Sequence, residues 1–175
     1  MNNKPKNIAL LSIYISIAFI FGYIESLFPL PIPFPGIKLG LANLVIVLAL
    51  YQLGFSYAIT ISFLRNLLNA FTFGSLFSFF YSLTGSIASL LVMQLIKQSK
   101  KTQLSLISIS CVGGIIHNMG QFAVAACLVG ISAIRPYLPF LYFAGLVAGV
   151  LIGIFAKLCL KRLNRQFFAS FNNKN

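Results

Sequence analysis

The chain has 175 residues, of which 59% are hydrophobic and 8% charged, with a mean hydropathy of +0.94 and a net charge of +12. A soluble domain carries roughly 45–50% apolar and about 25% charged residues, so the solvent for this chain is lipid. Glu25 is the only acidic side chain and there is no Asp, which excludes chemistry built on paired carboxylates, such as two-acid glycoside hydrolysis, Mg²⁺–carboxylate clusters and EF-hand calcium loops.

Lys4 and Lys6 precede the first apolar run, Ile8–Phe28. No small-residue cleavage site follows it, so it is expected to be retained as a helix and not removed as a signal peptide. A spanning helix needs about 20 apolar residues. Five further runs follow: Leu39–Leu53, Tyr57–Phe71, Leu76–Ile96, Leu104–Val129 and Leu138–Leu160. The second and third are short, and Gly54 between them predicts a tight turn, so the pair is expected to form a hairpin or to tilt little. The expected fold class is an all-α integral membrane protein, six transmembrane helices in a compact bundle, forming a single multi-pass domain over residues 1–175.

Six spans put both termini on one side. That side would carry ten basic residues: Lys4, Lys6, Lys97, Lys100, Lys101, Lys157, Lys161, Arg162, Arg165 and Lys174. The opposite loops carry two, Lys38 and Arg135, and Arg65 lies within a span. The positive-inside rule then predicts a cell-membrane protein with both termini in the cytoplasm. The bilayer accounts for most of the positive charge, and no nucleic-acid partner is needed.

Against this background a few residues stand out. Pro29, Pro31, Pro33 and Pro35 alternate along one segment, which predicts an extended, semi-rigid piece, either a stiff turn or a lid over an outward-facing pocket. Lys38 follows it and would bring a cation to the mouth. Arg65 lies mid-span, where an arginine costs about 2.5–3.5 kcal/mol or more. It is expected to pair with Glu25 or with carbonyls, to contact a ligand, or to snorkel to the interface. Asn66 and Asn69 share its helix, Asn69 on the same face. On the fifth run Gly113, His117 and Gln121 form one stripe with Asn118 beside it; a polar stripe in lipid should point into the protein. Asn43, Tyr81, Ser82 and Thr84 add further polar groups. In the expected orientation most of this polarity falls in the outer half, and Lys38, Arg65 and Arg135 against Glu25 favour an anionic or phosphate-like group. The substrate-binding candidates are therefore Lys38, Asn43, Arg65, Asn66, Asn69, Tyr81, His117, Asn118 and Gln121. Cys111, Cys127 and Cys159 have no metal-ligand spacing and read as buried apolar thiols; neither a metal nor a cofactor is expected.

Small residues recur at intervals of four. Ser12 and Ser16, then Ala18 and Gly22, do so on the first helix; Ala144 and Ala148, and Gly145, Gly149 and Gly153, do so on the sixth. Such tapes permit close helix approach in lipid, either within the bundle or as a docking face for another membrane subunit.

Pro35-Gly-Ile-Lys-Leu-Gly-Leu-Ala-Asn43, Leu64-Arg-Asn-Leu-Leu-Asn69 with Phe73-Gly-Ser75, Tyr81-Ser-Leu-Thr-Gly85 and His117-Asn-Met-Gly-Gln121 occur in order. Over Ile8 to Arg162 the chain resembles the Gx transporter family, also labelled heptaprenyl diphosphate synthase component I. That family is similar to the substrate-binding S components of energy-coupling factor (ECF) transporters. The resemblance implies six helices, capture of a vitamin-like small molecule at the outer face, and docking to a transmembrane coupling subunit driven by two ATPases. S components typically carry an Ala-xxx-Ala docking motif on the first helix, which Ser12-xxx-Ser16 and Ala18-xxx-Gly22 approximate.

The first expectation is thus a membrane substrate-binding subunit of a transporter. The chain has no Gly-x-x-x-x-Gly-Lys-Ser/Thr loop, so it would need an ATPase partner or an ion gradient. The alternative is a non-catalytic membrane accessory protein in prenyl diphosphate or quinone biosynthesis; without Asp the chain lacks the Mg²⁺-holding motifs that prenyl diphosphate synthesis needs. An intramembrane enzyme is the weakest expectation, since one His and one carboxylate make a poor acid/base set.

Overall fold

The computed structural model describes residues 4–27, 40–99 and 104–172. The proline segment, Lys38, Lys100, Lys101 and Lys174 lie outside them. No strand occurs among the described residues. The helices are α1 (Lys4–Leu27), α2 (Leu41–Gln52), α3 (Phe55–Thr72), α4 (Leu76–Gln98), α5 (Leu106–Val129), the short α6 (Ile131–Ile134), a 3-10 turn (Arg135–Tyr137) and α7 (Leu138–Asn172). Each of the six expected runs coincides with a long helix or with α2. Two differences appear. The connection before the last run is helical rather than open loop, and α7 continues through the basic tail past Leu160.

Among the described residues four stretches are long and apolar enough to cross a membrane: Asn7–Leu27, Leu76–Gln98, Leu106–Val129 and Ile131–Leu163. The expected second and third spans are not among them. At twelve residues, α2 is about 18 Å long, against a hydrocarbon core of about 30 Å. Its neighbour α3 carries Arg65, Asn66 and Asn69 in its C-terminal half.

The position of α2 explains its length. Ala42, Val45, Ile46, Val47, Ala49 and Leu50 are all buried, and a helix apolar on every side belongs inside a protein. It packs against α1, α3, α4 and α7. Each of its ends is met by a charged side chain from a neighbouring helix. At the N-terminus the Gly40 and Leu41 amides donate to Glu25 Oε1, at 2.5 and 3.0 Å. At the C-terminus Lys97 Nζ donates to the Leu50 carbonyl at 2.8 Å and lies over the Tyr51 ring. Both charges have the sign that the helix dipole favours. The Tyr14 hydroxyl donates to Gln52 Oε1, tying α1 to the same end.

Gly54 joins α2 to α3 at φ +97°, a backbone setting that a side chain would strain; this is the tight turn the sequence predicts. Ser75 and Ser105 cap α4 and α5, accepting from the Ser78 and Ser108 amides at 3.1 Å.

The closest approach in the fold is between α5 and α7. A Cβ on Gly114 would lie 2.2 Å from the Gly145 carbonyl oxygen, and one on Gly149 would lie 2.6 Å from the Ser110 carbonyl oxygen. The glycine tape of the last helix therefore packs internally, against α5. The first-helix tape divides. Ala18 and Gly22 are buried in the bundle, whereas Ser12 and Ser16 lie exposed beside Ile13, Ile17 and Ile20. Of the four residues expected on a docking face, Ala18 and Gly22 are instead packed inside, because helical periodicity turns them inward, and Ser12 and Ser16 remain on the outer surface.

Two outcomes follow for thermal unfolding in detergent. Gly145→Val drives a branched side chain into the α5 backbone and should cost about 1–3 kcal/mol or more, while Val147→Leu on the exposed flank should stay within about 0.5 kcal/mol. Glu25→Ala should cost about 0.5–2 kcal/mol, as loss of an N-terminal cap does, and Glu25→Gln should cost less because its amide oxygen still accepts.

Candidate functional site

Arg65, Asn66 and Asn69 project from α3, and His117, Asn118 and Gln121 from α5, into one central cavity of about 70 Å³. Asn43 of α2, Ser82 of α4, Gly22 and Glu25 of α1, and Gly145, Ala148 and Ile152 of α7 complete its wall. Seven of the nine substrate-binding candidates are thus brought together. Tyr81 is not among them. Its ring sits 5.6 Å from Phe77 and lines a separate groove, because adjacent residues on a helix point about 100° apart. Lys38 lies outside the described residues.

Glycines set how closely the walls approach. A Cβ on Gly22 would meet Asn69 Nδ2 at 2.5 Å, so the bare α1 backbone at this point makes room for the amide. A Cβ on Gly85 would meet the His117 carbonyl oxygen at 2.7 Å, so α4 lies directly against the polar turn of α5.

Arg65 is 6% exposed. Its Nη2 donates to Asn66 Oδ1 at 2.9 Å, and Asn66 Nδ2 reaches Ser86 Oγ at 3.5 Å. Its Nε is buried with no hydrogen-bond partner among the described residues, and so is Asn69 Oδ1. A buried donor or acceptor left unpaired costs about 1–3 kcal/mol, more when charged. The pairing with Glu25 that the sequence leaves open takes a different form: Glu25 lines the same cavity, but its Oε1 accepts from the α2 amides. The guanidinium therefore has a neutral amide as its direct partner.

A narrow extension of about 30 Å³ leads away between α2, α4 and α5, sharing Asn43, Gly114, His117 and Ile152 with the main cavity and lined by Ser86, Ser89 and Ser110. These buried serines escape sequence reading because a serine in an apolar helix often satisfies itself on its own backbone. The α7 wall was legible only as a packing tape. Asn118 Nδ2 donates to the Leu141 carbonyl at 2.8 Å, pinning α5 to α7 at the cavity edge. Among the described residues no group of three His, Cys, Asp or Glu side chains could hold a metal.

A cavity of this kind can bind an acceptor-rich group. The guanidinium supplies charge and a planar donor edge suited to phosphate or carboxylate, and the amides of Asn69 and Gln121 can donate or accept.

Residues 14–159 match the family model described as heptaprenyl diphosphate synthase component I. The chain is also similar to a solved structure described as the S component of a bacterial ECF transporter, with a TM-score of 0.74 and 21% identity over 94% of this chain and 98% of that one. At that identity the likeness establishes the fold. No curated protein matches the chain. The chain belongs to the heptaprenyl diphosphate synthase component I family.

The two asparagines should separate structural from binding work. Asn66→Leu takes away the direct partner of Arg65 and should destabilise the protein by about 1–3 kcal/mol. Asn69→Leu removes an acceptor that is itself unpaired, so the thermal midpoint should hold or rise. Equal loss in both variants would show that Asn69 is a packing residue.

Proposed function

We propose that this member of the heptaprenyl diphosphate synthase component I family, built on an S-component fold, is the membrane-embedded substrate-binding subunit of a transporter. It binds a small polar or anionic solute in the Arg65 cavity. The observation that carries this reading is Arg65 itself: a buried guanidinium whose Nε, like the Asn69 oxygen in the same cavity, has no partner among the described residues, in a bundle whose outer surface suits lipid. Intramembrane charges of this kind mark substrate pathways.

The proposed topology is six spans in one multi-pass domain, with α2 enclosed by its neighbours, α3 presenting Phe63, Leu68 and Phe71 outward, and both termini in the cytoplasm. The basic asymmetry supports it. The cavity then opens to the outer face. Energy comes from separate subunits, since the chain carries no phosphate-binding loop of its own. A transmembrane coupling subunit with its ATPases would meet the exposed Ser12–Ser16 face of α1. The work is binding and not catalysis: one carboxylate, engaged on backbone amides, offers no acid/base pair.

The family description favours a second reading, a non-catalytic membrane partner of a prenyl diphosphate synthase. Purification from native membranes distinguishes the two, with coupling subunits and ATPases expected for the first and a prenyltransferase for the second.

The binding reading is tested by mass spectrometry of small molecules that co-purify with the protein. Wild type should carry a compound bearing phosphate or carboxylate. Arg65→Lys keeps the charge but loses the planar fork and should retain about tenfold less of it. A neutral compound, or equal retention in both proteins, would overturn the assignment. Reporter fusions after Lys101 and Asn175 should read cytoplasmic and one after Arg135 external; a cytoplasmic signal at Arg135 would reverse the orientation.

A further inference from the structure

We infer that the solute is amphiphilic, with an acidic head at Arg65 and an apolar body in the groove between α4, α5 and α7. This rests on the binding role proposed above and names the class of solute.

Size is the first ground. The polar cavity, at about 70 Å³, is far below the roughly 300–1,000 Å³ of pockets that enclose a whole drug-sized ligand. It has room for a head group. A second space, of about 320 Å³, lies beside it. Tyr81, Phe122, Tyr137 and Phe140 line it, together with the small residues Ala125 and Ala133.

Continuity is the second ground. On α5 the cavity residues Gly114, Asn118 and Gln121 and the groove residues Ala125 and Val129 fall at steps of three and four, which is one helical face. On α7 the groove residue Leu141 and the cavity residues Gly145, Ala148 and Ile152 do the same. Both spaces therefore lie along one seam between two antiparallel helices. The Asn118–Leu141 hydrogen bond marks their border. Polarity changes along α5, from the amides of Asn118 and Gln121 to Phe122, Ala125 and Val129, while the α7 side is apolar throughout. On α4 the same border falls between Ser82, in the cavity, and Tyr81, in the groove. The short α6 and the 3-10 turn close the groove's far end, contributing Ala133, Ile134 and Tyr137.

The third ground is charge placement. Among the groove-lining residues there is no charged side chain, so the groove offers nothing to a second ionic group. One cation at one end and an apolar trough running from it select one acid group on an apolar body.

The test uses the full chain in nanodiscs and three probes: inorganic phosphate, 2-naphthyl phosphate and 2-naphthol, read by calorimetry. Naphthyl phosphate should bind at least about tenfold more tightly than phosphate, because its rings leave water for the groove. Ala125→Phe and Ala133→Phe fill the groove from α5 and from α6. Each should reduce that preference to about threefold or less while phosphate binding persists; two variants guard against one misfolding, with size-exclusion profiles as the check. Arg65→Lys should weaken both phosphates about tenfold. Phosphate binding with no preference for the naphthyl ester would overturn this inference and leave the head-group site standing. Failure of both phosphates to bind would overturn the site as well. Equal binding of naphthol and its phosphate, insensitive to Arg65→Lys, would mark the groove as a lipid-tail or partner surface independent of the cavity.

Discussion

The fold turns on one constraint: a short, largely apolar helix is buried among the others, and the backbone groups at its ends need partners. Backbone groups at helix ends cannot be left bare in a nonpolar medium. Glu25 satisfies the N-terminus of α2 and Lys97 the C-terminus. Each comes from a helix that packs against α2, so capping α2 also sets the register of α1 and α4 against it. The buried hydrophobic cluster is centred on the same helix, with Val45, Ile46, Val47, Ala49 and Leu50 as its largest single contribution.

That constraint determines the character of the cavity. The chain has a single carboxylate, and its Oε1 oxygen is bound to the α2 amides. Arg65, held a few residues away in space on the same cavity wall, is left with Asn66 as its direct partner. The one cation and the one carboxylate that line the cavity are thus unequal in direct contacts. One group faces a helix end; the other faces the cavity. Among the described residues Arg65 Nε and Asn69 Oδ1 are buried without a hydrogen-bond partner, the arrangement expected where stability is yielded to binding.

The second organising feature is the glycine seam between α5 and α7. Close approach at Gly114, Gly145 and Gly149 leaves no space for side chains along that stretch. The seam then loosens past the Asn118–Leu141 hydrogen bond, where Phe122, Ala125 and Leu141 replace glycine. One pair of helices therefore builds a tight packing contact, one wall of a polar cavity and one wall of an apolar groove, each over about two turns.

Much of this was legible in the residues themselves. Composition required a lipid-facing helical protein, the apolar runs located the long helices, and an arginine and a polar stripe in those runs marked the cavity, since polar groups that face lipid are too costly to keep. What hydropathy could not do was separate a helix facing lipid from one facing protein, because both surroundings are equally apolar; hence α2 looked like a short span and not like the centre of the bundle. Helical spacing assigned Arg65 and Asn69 to one face but could not say what that face met. Only the tertiary structure decided that Glu25 caps α2 instead of pairing directly with Arg65, that the α7 glycines meet α5, that Ala18 and Gly22 turn inward, and that Tyr81 belongs to the groove. Those are relations between helices distant in sequence, and they depend on how backbones cross, which no single helix encodes.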